Sequence, residues 1–136
     1  MMPAALQQGI TEFNQQEFYA CHDTLEALWM DSTEPDRRFY QGLLQVAVAC
    51  YHLSNLNWRG AVTLLGEGTR RLYDYQPRYA TIDVEQLLED SFTLLESLQN
   101  TPPENLGQLL EQIQSDRDQD AAYHFPTVRL VRDISL

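Results

Sequence analysis

The chain has 136 residues, of which 43% are hydrophobic, and it carries a formal net charge of -11. This length and composition predict one compact domain with enough chain to bury a core. The acidic balance argues against nucleic acid and anionic membrane surfaces as partners, because like charges repel.

Helical periodicity covers most of the chain, and no convincing alternating strand pattern precedes the last dozen residues. A first helix is predicted from about Pro3 to Phe13, where the proline suits the first turn. A short turn at 14–16 precedes a second helix, from about Glu17 to Met30. The loop 31–35 is rich in cap and breaker residues. It leads to a third helix, from about Asp36 to Asn55, which is the most apolar segment.

The second half of the chain continues the helical pattern. Asn57 and Asp83 are each placed to cap the helix that follows. The predicted segments are a fourth helix at about 58–73, a linker at 74–82, a fifth helix to about 98, a sixth at about 101–114 and a polar stretch at 115–120. The tail, 123–136, mixes aromatic and β-branched residues, so we expect it to dock as an extended strap. The fold class is therefore predicted to be all-α, an antiparallel bundle of about five to six helices with an extended C-terminal tail.

The two cysteines, Cys21 and Cys50, form neither a C-x-x-C pair nor a disulfide framework. Both lie in apolar helical segments, where a free cysteine behaves as a small hydrophobe. The start of the chain turns polar too soon for a signal peptide, and no apolar run approaches the roughly 20 residues of a membrane span. We therefore expect a soluble, cytoplasmic protein that does not associate with a membrane.

Polar residues interrupt the apolar second and third helices in a pattern that we call the polar seam. At about 100° per residue, His22 lies within the apolar arc of the second helix, and Glu26 follows one turn later. The third helix carries a polar stripe, and a short loop joins the two helices, so they should pack antiparallel and bring both polar sets together. Burying such groups is costly unless they pair or hold a ligand. The candidate ligand-binding residues of the seam are His22, Glu26, Trp29, Arg38, Gln41, Gln45 and His52.

Three interpretations of the seam stay open. In the first, Glu26 orients His22, the two glutamines satisfy the remaining donors, and Arg38 neutralises the carboxylate in a core-locking network. In the second, His22, Glu26 and His52 bind a divalent metal such as zinc, iron or manganese, and the protein is a metal-dependent enzyme. In the third, a small anionic or polar ligand sits among Arg38, the histidines and the glutamines, with His22 and Glu26 as an acid–base pair.

Other hypotheses concern partners. The repeated helical hairpins and the acidic surface also suit a protein-interaction module. A homodimer surface would draw on two residues of the first helix and three tyrosines of the linker, which are Leu6, Ile10, Tyr73, Tyr75 and Tyr79. The sequence does not decide whether the protein is an enzyme.

Aromatic and glycine residues add smaller expectations. Trp29 and Trp58 are expected to be core or helix-junction aromatics. Gly66-x-Gly68 falls within a helix and lacks a preceding strand, so it does not predict a phosphate-binding loop. Gly42 and Gly60 also lie in helices, where glycine costs stability. Close approach of a neighbouring helix is the usual reason for such a glycine.

A set of short motifs runs through the first half of the chain. They are Phe13-Asn14, Phe18-Tyr19-x-x-His22-x-x-Leu25-Glu26-x-x-Trp29, Arg38-Phe39-x-Gln41-Gly42-Leu43-x-Gln45-x-Ala47, Tyr51-His52 and Asn57-x-x-Gly60-Ala61. In combination they resemble the domain-of-unknown-function 309 family, small helical proteins of bacteria with relatives in photosynthetic lineages. The resemblance implies an all-α fold and no established biochemical activity. The family usually has His-Glu where this chain has His22-Asp23, and a glycine where it has Leu56.

The resemblance also suggests how the chain is organised. Residues 1–136 are predicted to form a single helical domain. A family-like core would span about 6–72, and a helical extension with the tail would span 73–136.

Overall fold

The computed structural model describes residues 2–115 and 124–131 of the chain. Within them, six α-helices follow one another in chain order. They are α1 (Ala4–Asn14), α2 (Phe18–Met30), α3 (Asp36–Ser54), α4 (Trp58–Leu72), α5 (Val84–Gln99) and α6 (Leu106–Ser115). The predicted all-α bundle is confirmed. None of the helices in the described ranges is long and apolar enough to cross a membrane.

Side-chain caps fix the starts of two helices where the sequence predicts them. The side chain of Asn57 accepts a hydrogen bond from the Gly60 amide at 3.0 Å, at the start of α4. The side chain of Asp83 does the same for the Gln86 amide at 3.0 Å, at the start of α5. Each cap satisfies one of the amides that a helix start leaves without a partner.

Helix α3 lies at the centre of the bundle. Ten of its 19 residues are buried, because it packs against α2 on one side and α4 on the other, while α1 packs on α2 and α5 on α4. One hydrophobic core takes side chains from all six helices and from the tail. Leu6 and Ile10 belong to that core, with 0% and 9% of their surface exposed. Their expected place in a dimer surface is therefore corrected, since α1 turns its apolar face inward.

Close approach of α3 and α4 depends on glycines. A Cβ atom added to Gly68 would lie 3.0 Å from the Gly42 carbonyl oxygen and 2.9 Å from the Val46 side chain. One added to Gly42 would lie 2.8 Å from the Leu72 side chain, and one on Gly60 would lie 2.8 Å from the His52 ring. Helix crowding at Gly42 and Gly60 thus agrees with the expectation from sequence.

The linker between α4 and α5 contains a short hairpin that the sequence does not predict. Strands β1 (Arg78–Tyr79) and β2 (Ile82–Asp83) pair antiparallel. Their turn residues, Ala80 and Thr81, have φ of 50° and 62°, which suits a two-residue hairpin turn with both central residues left-handed. A second difference is that α6 begins at Leu106, after a 3-10 turn at Pro103–Asn105, rather than near residue 101.

The described part of the tail, 124–131, is extended and docked, as predicted. Phe125 and Val128 are each 4% exposed. The Val128 amide donates to Asn14 Oδ1 at 2.8 Å, and Asn14 Nδ2 donates to the Val128 carbonyl at 2.8 Å. The Asp83 amide donates to the Arg129 carbonyl at 2.8 Å, and Leu130 forms an isolated bridge with Ile82. The rest of the predicted strap and most of the polar stretch lie outside the described residues.

Candidate functional site

The α2 part of the polar seam lies at the surface of the bundle. The buried residues of α2 are Phe18, Cys21 and Leu25. At about 100° per residue, His22 lies about 70° from the centre of that arc. The side chains of His22 and Glu26 are 34% and 44% exposed. The prediction that His22 and Glu26 are buried is therefore wrong, because the apolar arc of α2 is centred on the side of Cys21 and Leu25.

The α3 part of the seam is likewise the solvent side of its helix. Gln41, Gln45 and His52 share one stripe as predicted, and they are half-buried, whereas Arg38 is exposed. Most of the remaining circumference of α3 is buried. The seam is therefore a surface between helices and not an enclosed core cluster.

His22 lies between two carboxylates of its own helix. Its Nε2 is 2.8 Å from Glu26 Oε2, and its Nδ1 is 3.1 Å from Asp23 Oδ1. The contact with Glu26 is the one-turn pairing that the sequence predicts. A neutral imidazole donates to only one carboxylate, and an imidazolium donates to both. The imidazole of His22 is thus held between two acidic side chains at the surface.

Four rings from α2 and α3 form a continuous contact that we call the aromatic row, made of His22, Tyr19, Tyr51 and His52. Successive ring centroids lie 6.0, 5.6 and 6.1 Å apart. Tyr19 is 60% exposed. Because Tyr19 lies near the start of α2 and Tyr51 near the end of α3, their contact shows the antiparallel packing that the short loop predicts. The two tyrosines were not among the predicted site residues, although the spacing of Tyr19 and His22 on one helix face would have indicated Tyr19.

His52, at the far end of the aromatic row, belongs to the junction of α3 and α4. Asn57 Oδ1 already accepts from the Gly60 amide, so Asn57 Nδ2 faces the His52 ring and donates to its Nδ1 at 3.2 Å. The ring also packs against the bare backbone of Gly60. The family-like motif Asn57-x-x-Gly60 therefore holds His52 in place.

The structure does not bring the three predicted metal ligands together. The two tyrosines separate His22 from His52, and His52 Nδ1 is taken by Asn57. Across residues 2–115 and 124–131, no group of three or more His, Cys, Asp and Glu side chains is arranged to hold a metal ion.

The side chain of Gln45 is hydrogen-bonded to two residues of α4. Its Nε2 donates to Glu67 Oε2 at 3.1 Å, and its Oε1 accepts from Arg71 Nη1 at 3.0 Å. Both ends of the amide are satisfied, which supports the structural interpretation for this residue. Glu67 and Arg71 were missed because they lie more than 20 residues away on a separate helix, and no local spacing connects them to Gln45.

Both tryptophans lie at helix junctions, as predicted. The indole of Trp58 donates to the Leu98 carbonyl at 2.8 Å and so joins the start of α4 to the end of α5. The guanidinium carbon of Arg37 is 4.4 Å from the centroid of the Trp29 ring, across the loop between α2 and α3. Trp29 therefore contacts Arg37, the neighbour of the predicted Arg38.

The two cysteines lie in the core and do not supply a nucleophile to this surface. Burial, and then the Glu12 carboxylate, raise the pKa of the Cys21 thiol to about 12. The thiol donates to the Gly9 carbonyl at 3.3 Å. Burial also raises the pKa of Cys50. Both are free cysteines.

Two of the linker tyrosines attach the linker to the start of α3. The rings of Tyr75 and Tyr79 lie 5.1 and 4.7 Å from that of Phe39. The Tyr75 hydroxyl donates to the Pro35 carbonyl at 2.7 Å, and the Tyr79 hydroxyl donates to the Asp36 carboxylate. Burial and the hydrogen bond to Asp36 raise the pKa of Tyr79. The hydroxyls of these two tyrosines are hydrogen-bonded within the chain. Tyr73, at 60% exposure, is the linker tyrosine that remains open to solvent.

These features define a class of protein: a small α-helical bundle with a half-buried surface of tyrosine, histidine and carboxylate side chains on its second and third helices. Residues 6–64 match the family described as "Domain of unknown function (DUF309)". The match lies within the segment, about 6–72, over which the sequence resembles that family. All residues of the polar seam and of the aromatic row lie within residues 6–64.

One relative gives a second comparison. The chain is 33% identical over 102 residues to "Uncharacterized protein YpuF" of Bacillus subtilis (strain 168). The alignment covers 74% of this chain and 56% of the relative, so the chain spans little more than half the length of that protein. Neither the description of the family nor the name of the relative states an activity.

Proposed function

We propose that this chain is a protein-interaction module whose aromatic row, with the carboxylates beside it, binds a basic segment of a partner protein. The observation that carries the proposal is the half-exposed contact of Tyr19 and Tyr51, placed next to Asp23 and Glu26. No enclosing wall is required for such a partner, because an interaction surface can be shallow.

The chemistry of the surface favours a cationic partner. Tyrosines offer a large apolar face and a polar tip, which is why they are enriched at protein interfaces. A lysine or arginine of the partner can lie over an aromatic face and pair with a nearby carboxylate. The net charge of -11 adds long-range attraction for a basic segment.

Two further assignments go with this function. We place the module in the cytoplasm, because its two cysteines are free and buried and suit a reducing compartment. We do not propose nucleic acid as the partner, because an acidic surface repels phosphates. The metal-dependent enzyme is the weaker alternative, since His52 lies apart from His22 and Glu26.

A peptide-display selection on the wild-type chain tests the proposal. The selected peptides should be rich in lysine and arginine, and raised salt should weaken their binding. Tyr19→Ala and the double variant Asp23→Asn/Glu26→Gln should each lower affinity about tenfold, the loss expected for a central interface residue. Tyr73→Ala is the matched control, because Tyr19 and Tyr73 are both 60% exposed. Selected peptides without basic residues, or with equal affinity for wild type and Tyr19→Ala, would show that the proposal is wrong.

A further inference from the structure

A groove between α4 and α5, bordered by Arg38 of α3, is separate from the aromatic row. Its volume is about 480 Å³, and its lining includes Arg38, Gly66, Arg70, Tyr73, Phe92 and Leu95. Small-molecule sites in proteins measure roughly 300–1,000 Å³. The groove is therefore large enough for a compact organic ligand.

The apolar side chains that line the groove are partly exposed. Phe92 is 45% exposed, and Leu95 beside it is half-buried. A Cβ atom added to Gly66 would meet nothing within 4 Å, so this part of α4 presents bare backbone to empty space. Covering these apolar groups with a flat ring or a short acyl chain would be favourable.

The charge of the groove is opposite to that of the whole chain. Two arginines and one carboxylate, Asp74, line it, which gives 2 − 1 = +1 on a chain whose net charge is -11. Both Arg38 and Arg70 are exposed. Within the described ranges, the ion pairs closer than 4.0 Å involve His22 and not these arginines. Arginine presents a planar fork that suits a carboxylate.

We infer that this groove binds a small amphipathic anion. Its carboxylate head contacts the guanidinium groups of Arg38 and Arg70, and its apolar body lies over Gly66 against Phe92 and Leu95. This site is independent of the proposed protein-interaction surface. The small anion predicted from the polar seam would then bind in this groove and not at the histidines. Of the predicted ligand-binding residues, only Arg38 would contact it.

Calorimetric titration with 1-naphthoate, supported by amide NMR shifts, tests the inference. The wild-type chain should bind the probe, and the largest shifts should fall at residues 66–74 and 92–95. The neutral analogue 1-naphthalenemethanol should bind about tenfold more weakly, because it lacks the charge-assisted hydrogen bonds. Arg38→Gln and Arg70→Gln should each weaken naphthoate binding by a similar factor. Arg59→Gln, an exposed arginine of α4 outside the groove, should leave binding unchanged.

Filling the groove gives a second readout. Gly66→Leu should abolish naphthoate binding while α4 stays folded, because leucine is a better helix former than glycine. Absence of binding by the wild type up to about 1 mM, the weak end of specific recognition, would overturn the inference. So would unchanged affinity in the arginine variants and Gly66→Leu, or shifts that map to the aromatic row. Binding of an acidic peptide but not naphthoate, or a change in oligomeric mass with Gly66→Leu, would assign the groove to another occupant.

Discussion

The side chain of Asn14 makes with Val128 the pair of hydrogen bonds that a neighbouring strand would make. Replacing it in Asn14→Ala removes both bonds and leaves the amide and carbonyl of Val128 without these partners. We expect the free energy of unfolding to fall by about 1–2 kcal/mol. Urea unfolding measures the change, and amide hydrogen exchange should become faster at residues 125–131.

Gln15→Ala is the matched control for this prediction. Gln15 is the exposed neighbour of Asn14 at the end of α1, and its replacement should change stability by less than about 0.5 kcal/mol. If Asn14→Ala were as stable as Gln15→Ala, the two hydrogen bonds would contribute nothing to holding the tail.

The buried thiols lead to a prediction about reactivity. The thiolate is the reactive form, and the pKa of Cys21 is raised from 9.0 to about 12. A difference of 12 − 9 = 3 lowers the thiolate fraction near neutral pH about a thousandfold. A thiol reagent such as DTNB should therefore label the native chain very slowly and label both cysteines promptly in urea. Rapid labelling of the native chain would contradict the burial of Cys21 and Cys50.

At the scale of the helices, substitutions at two glycines of α4 distinguish the effect of packing on stability from the effect of helix propensity. Gly68 faces α3, where an added Cβ would meet the Gly42 carbonyl at 3.0 Å and the Val46 amide nitrogen at 3.1 Å. Backbone atoms cannot move aside easily, so Gly68→Ala should destabilise the chain by about 1–3 kcal/mol through overpacking. Thermal and urea unfolding measure the change.

Gly66→Ala is the opposite case on the same helix. Its added methyl group meets nothing within 4 Å, so only helix propensity acts, and stability should rise by up to about 1 kcal/mol. Equal effects of the two substitutions would show that α3 and α4 do not approach at Gly68.

Local signals explain why the helices could be predicted and the site only in part. Periodicity and caps such as Asn57 and Asp83 act within one helix, and so does the contact of His22 with Glu26. Burial of the seam could not be read from α2 alone, since it depends on how the neighbouring helices cover it. The same holds for the bonds of Gln45, whose partners lie on α4.

The hairpin was missed for a related reason. Its strands have only two residues each, too few to show an alternating pattern. Its turn residues, Ala80 and Thr81, lack the glycine or asparagine that usually marks a two-residue turn. The pairing is supported instead by the tail, which contributes Leu130 and the Arg129 carbonyl.

At the scale of the whole molecule, one core connects the family-like segment to the later helices and the tail. Leu6 at one end of the chain and Val128 near the other are members of the same hydrophobic cluster. This shared core supports the prediction of a single domain. If the chain is one domain, circular dichroism and tryptophan fluorescence should report one coincident unfolding transition.

The tyrosines at the start of α3 and in the linker predict how stability changes with pH. The pKa of Tyr40, Tyr75 and Tyr79 is raised from 10.0, with burial as the first cause in each. The folded chain therefore keeps these protons at pH values where the unfolded chain has lost them. Stability from this source is complete below about pH 10 and falls as the pH rises above it, because the native state then binds more protons.

Urea unfolding at a series of pH values between about 9 and 11, on either side of the ordinary tyrosine pKa, measures this fall. The buried thiols act in the same direction from their ordinary pKa of 9.0, so a variant must isolate the tyrosines. Tyr79→Phe should make the loss of stability with pH less steep, since phenylalanine has no proton to lose. Tyr73→Phe, at an exposed position, should keep the wild-type slope. A slope unchanged in Tyr79→Phe would mean that the hydroxyl of Tyr79 does not couple folding to pH through Asp36.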